Sequence, residues 1–87
     1  MIQKIKPGMY VTLKKERLKE LEYPFDKLDA RYNMTYNTAY LVLDTTSLDI
    51  ILLNPNTNDI NNESFWEYND VERIVSKEDY PEYFIWK

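Results

Sequence analysis

Twelve residues, SFWEYNDVERIV from Ser64 to Val75, constrain this chain more than any others. Ser64–Tyr68 and Val71–Val75 each read as a short strand, rich in aromatic and β-branched residues. Between them, Asn69 and Asp70 have side chains that can bond nearby backbone amides and hold a tight turn. Two short strands and a turn are not stable alone, so this segment needs neighbouring strands and a shared core. Strand parity also puts Phe65 and Glu67 on one face and Trp66 and Tyr68 on the other, so one large ring must face outward.

The rest of the chain supplies the neighbours. IKPGMYVTLK opens on a Pro-Gly turn and then alternates Met9, Val11 and Leu13 with Tyr10, Thr12 and Lys14, a first strand. In KKERLKELE, Leu18 and Leu21 stand three apart among good helix formers, which predicts one short helix ending before Pro24. YPFDKLDARYNMTYNT has no sustained period but too many aromatic residues for a disordered linker. It reads as an ordered excursion that lays its rings on the body. TAYLVLDTTSLDIILLNP is the strongest hairpin, with Tyr40, Val42 and Asp44 pointing one way and Leu41 and Leu43 the other. NPNTNDINNES is a loop. In the tail SKEDYPEYFIWK, Ser76 and Asp79 have the spacing of a capped helical turn that Pro81 ends. YFIW then either forms a strand or clamps onto the body.

Eighty-seven residues are read as one domain, 1–87, with residues 76–87 as a C-terminal strap. The chain contains no cysteine and no histidine. That excludes disulfides and thiolate zinc sites, and it removes the usual general base and the commonest metal ligand. The first fifteen residues lack the apolar stretch and cleavage site of a secretion signal. AYLVL and IILL, the longest apolar runs, fall far short of a membrane span. The expectation is a cytoplasmic protein with no membrane part. Eight Asn and eight Tyr beside one Gly indicate AT-rich codons, hence a low-GC bacterium, its phage or a mobile element.

The net charge of −4 is unevenly spread. Residues 1–20 sum to +4, whereas residues 39–72 carry seven acids and no base. Neighbouring strands lie about 5 Å apart, so folding can bring the two sets together as internal compensation.

The order of elements is strand, long excursion, hairpin, short strand, polar turn, short strand. It resembles the Src-homology-3-like small β-barrel of bacterial and phage type, carried by PGMYVTL, the hairpin AYLVLDTTSLDIILLNP and SFWEYNDVERIV. The resemblance covers roughly residues 5–75 and implies a mainly β, five-stranded barrel, with a short helical excursion after the first strand and a C-terminal extension. It places Tyr68-Asn69-Asp70-Val71 at the family's 3-10 turn between the last two strands. Here Asp70 stands where peptide-binding members carry an aromatic residue, which weighs against proline-rich ligands.

Five classes of function compete. Carboxylate pairs such as Asp44 with Asp49, or Glu67 with Asp70, have the chemistry of an acid and a base, but acids flanking strands more often serve solubility. With no histidine or cysteine nucleophile system available, the expectation is a non-enzyme without a cofactor. NPNTNDINNE has oxygen ligands but neither the central glycine nor the charge of a calcium loop. KKERLK could meet phosphates, yet the acidic centre of the chain would repel nucleic acid. The leading expectation is a protein-interaction module, because thirteen aromatic residues exceed what so small a core can hold. Its candidate face is Tyr10, Tyr36, Tyr40, Trp66 and Tyr68. The alternative is an acidic inhibitor that imitates nucleic acid through Asp44, Asp49, Glu67, Asp70 and Glu72. A homodimer through YFIW is a further option.

Overall fold

The computed structural model describes residues 4–20, 34–54 and 63–84. The excursion read over 21–33, the Asn-rich loop from 55 to 62 and the last residues of YFIW, Trp86 among them, lie outside the described residues.

Five strands form in the predicted order: β1 (Tyr10–Leu13), β2 (Tyr40–Thr45), β3 (Asp49–Leu53), β4 (Glu63–Glu67) and β5 (Val71–Val75). A short helix, α1 (Lys15–Glu20), follows β1, and a 3-10 helix over Tyr68–Asp70 joins β4 to β5. The strands make one antiparallel sheet in the order β4-β3-β2-β1-β5. The sheet is open: among the described residues no pairing joins β4 to β5. The predicted closed five-stranded cylinder therefore gives way to a five-stranded sheet with two edges.

Each element has a local cause. The turn at Pro7-Gly8 uses the one glycine, at φ +93°, which a Cβ would strain. The hairpin turn is held by Thr46, whose hydroxyl accepts from the amides of Leu48 at 3.2 Å and Asp49 at 2.8 Å. The alternation in β2 holds from Tyr40 to Leu43 and then slips. A bulge sets Leu43 and Asp44 together against Ile51, so Asp44 does not share the inward side of Tyr40 and Val42. Ser76 does bond the amide of Asp79, at 3.2 Å. Pro81, however, opens a second 3-10 helix (Pro81–Tyr83) rather than ending one, because its fixed φ suits a first helical position.

The core lies on the inner face of the sheet. It gathers Ile5, Val11, Leu13, Met34, Tyr40, Val42, Ile50, Leu52, Trp66 and Val71. β1 sits between β2 and β5 and is closed on both faces: Val11 and Leu13 enter the core, while Thr12 is also fully buried. The outer cover is the tail. Phe84 packs edge-on against Tyr10 with centroids 4.8 Å apart, and the Arg73 guanidinium lies 5.6 Å from the centre of the Tyr80 ring. The Ala39 amide donates to the Tyr83 carbonyl at 2.9 Å. The strap thus runs along the outside of β1 and β5.

Candidate functional site

Parity in β4 is as the alternation requires, and its orientation decides the site. Ser64 and Trp66 point inward, while Glu63, Phe65 and Glu67 point outward. The Trp66 ring is 3% exposed, and its Nε1 donates to Ser64 Oγ at 2.9 Å. Ser64 Oγ in turn bonds the Leu52 carbonyl at 3.2 Å. A buried indole needs such a partner for its N–H, and Ser64, two residues earlier on the same face, provides it. Phe65 has no polar atom to satisfy and stands 56% exposed.

The aromatic face expected from sequence is therefore not assembled. Trp66 and Tyr40 are both core residues, which is a correction: neither ring is accessible to a partner. Tyr40 is fully buried, and its hydroxyl accepts from the Thr35 amide at 2.6 Å. Burial pushes its phenol pKa up from the usual 10.0, partly offset by the bonds from Thr35 and Thr38. Tyr10 is half-buried under Phe84. Tyr68 is half-buried too, and its hydroxyl donates to the Thr46 carbonyl at 2.7 Å. Tyr36 is exposed beside β5: its hydroxyl reaches Glu72 at 3.4 Å, and Lys15 Nζ lies 5.9 Å from its ring centre.

The acidic set divides as well. Asp70 is 4% exposed and does not belong to the surface, again a correction. Its Oδ2 accepts the Glu67 amide at 2.9 Å, while the Glu67 side chain accepts the Asp70 amide, a reciprocal cap on the 3-10 helix. Asp70 Oδ1 takes Arg17 Nε at 2.6 Å, and the Lys14 amide donates to the Asp70 carbonyl at 2.9 Å. One residue thus ties α1, through its carboxylate, and the end of β1, through its carbonyl, to the polar turn, a direct link between the basic and acidic segments of the sequence. These bonds hold Glu67 and Asp70 in structural roles. Glu72 lies on β5, away from Asp44 and Asp49. Among the described residues no three carboxylates are grouped so as to hold a metal ion.

What the structure does bring together is the outer face of β2, β3 and β4. Phe65 is directly opposite Ile51, and Ile51 is opposite the Leu43–Asp44 bulge. Leu53 lies opposite Glu63, and Leu41 is on the same side of β2. Leu41, Leu43, Ile51 and Leu53 are only half-buried. An aliphatic row with a benzyl ring at its edge is thus left in contact with water. Asp44, Asp49, Glu63 and Glu67 frame it. Sequence reasoning missed Phe65 as the accessible ring because parity alone names two faces without saying which is inner.

No helix among the described residues is long and apolar enough to cross a membrane. No family model, no curated protein and no solved structure matches this chain.

Proposed function

We propose that this chain is a small non-enzymatic interaction module that binds a protein partner through the outer face of β2, β3 and β4, with Phe65 at its β4 edge. A single observation carries the reading: a phenylalanine more than half exposed directly opposite Ile51, in a row that continues across β3 to Leu43. Covering such a side chain is worth up to about 1.5–3 kcal/mol, and rings of this kind recur as interface anchors. The Src-homology-3-like reading of the architecture is supported by the strand order β4-β3-β2-β1-β5 and by the 3-10 turn between β4 and β5. An accessory protein of a phage or mobile element, working in the cytoplasm, fits the composition.

Affinity capture with three baits tests this reading. The wild-type chain should retain a partner, Ile74→Ser should retain it equally, and Phe65→Ser should lose it. Ile74 is exposed on β5, away from the face, so it controls for general loss of surface hydrophobicity. Undiminished capture by Phe65→Ser overturns the proposal.

The acidic-inhibitor reading keeps Asp44, Asp49 and Glu67 near one another, but the row between them is aliphatic rather than polar. It makes the opposite forecast. Changing those three acids to lysine would abolish binding that Phe65→Ser leaves intact.

A further inference from the structure

β4 offers more than its side chains. Among the described residues it pairs only with β3, so its other edge is open. The hydrogen-bond directions say which backbone groups face that edge. The Asp49 carbonyl accepts from the Thr46 amide at 2.8 Å, and the Asp49 amide donates to Thr46 Oγ1 at 2.8 Å, both toward β2. The opposed pair Asp49–Glu67 is therefore a non-hydrogen-bonded pair of the β3–β4 ladder. The Glu67 amide is accordingly turned away and bonds Asp70. Ladder bonding alternates along a strand, so the amide and carbonyl of Phe65 also point to the open edge.

The same register sets Asp49 directly opposite Glu67, whose side chain also accepts the Asp70 amide. Opposed residues of a non-hydrogen-bonded pair have the closer side chains, and like charges there destabilise the sheet. Asp49 and Glu67 lie one row beyond Ile51 and Phe65, and residues 39–72 contain no base.

We infer that the open edge of β4 receives an extended strand of the partner protein, with an aliphatic residue opposite Phe65 and a lysine or arginine two residues away, in the row of Glu67 and Asp49. This rests on the docking face proposed above and names its partner's chemistry. The incoming backbone bonds Phe65, its aliphatic side chain extends the Phe65–Ile51–Leu43 row, and its cation relieves the facing carboxylates. The plainer alternative is that acids on a short edge strand keep other strands away.

Three peptides decide between them: acetylated, amidated nonamers centred on Lys-Thr-Val-Thr-Lys, on Glu-Thr-Val-Thr-Glu and on Ser-Thr-Val-Thr-Ser. Binding is followed by amide NMR shifts and by hydrogen exchange at Phe65. The lysine peptide should bind at least tenfold more tightly than the glutamate peptide and protect the Phe65 amide. It should also weaken several-fold between about 20 and about 300 mM salt, as screening requires. Methylating its central backbone nitrogen or making Phe65→Ser should abolish the protection. Equal binding of all three peptides overturns the cationic partner but leaves the docking face standing. Binding without Phe65 amide protection overturns strand addition. Binding by none establishes the guarded edge, and the capture experiment with Phe65→Ser then judges the docking face separately.

Discussion

The two halves of the sheet treat their outer faces differently. Over β1 and β5 the chain doubles back: Tyr80, Tyr83 and Phe84 cover Tyr10, Arg73 and the neighbouring backbone, and Thr12 and Val75 are buried. Over β2, β3 and β4 the described residues show no such cover, and Phe65 is left more exposed than buried. Both halves contribute side chains to one inner core. The contrast shows that an aromatic surplus in a small domain is absorbed unevenly. Tyr10 is claimed by the tail, and Tyr40 and Trp66 by the core. Phe65, on the face of β4 opposite Trp66, remains at the surface.

Four substitutions can break or sharpen this contrast, with chemical denaturation at neutral pH as the common measure. Trp66→Ala should cost the most, about 3–5 kcal/mol, since it opens a cavity in the core and strips Ser64 of its donor. A cost near zero would mean that the inner face of the bare half is not packed. Phe84→Ala should cost about 1–2 kcal/mol, through the lost edge contact with Tyr10 and lost burial in the strap. A neutral result would erase the difference between the halves.

Tyr40→Phe probes β2, the strand through which the bare half joins β1, and should cost about 1 kcal/mol for the bond accepted from the Thr35 amide. It also has a pH signature. The folded-state pKa of Tyr40 is raised above the usual 10.0, so the unfolded chain ionises first. The stability this contributes is whole below pH 10.0 and is lost as pH rises through the folded value. Tyr40→Phe should flatten that alkaline decline, and an unchanged slope would place its origin elsewhere. Phe65→Ser should be the mildest, within about 0.5 kcal/mol, as expected of a surface position. A cost of several kcal/mol would show that Phe65 is covered.

Much of the fold was legible along the chain. The hairpin from Tyr40 to Leu53, the short helix at Lys15 and the turn at Tyr68–Asp70 all stand where local pattern put them, because each depends on nearby residues. The candidate site was less legible. The Leu43–Asp44 bulge, the pairing of Asp49 with Glu67 and the recruitment of Asp70 by Arg17 depend on residues distant in sequence. The Arg17–Asp70 pair also moved a supposed surface acid inside, which no charge count along the chain could reveal.

Alternation by itself determined that Phe65 and Trp66 occupy opposite faces, since successive strand residues cannot do otherwise. Which of them turned inward was decided only in three dimensions. Trp66 found Ser64 Oγ and the aliphatic core, while Phe65 met Ile51 on a face left uncovered among the described residues. Periodicity is a property of one strand, but burial is a property of everything that packs against it.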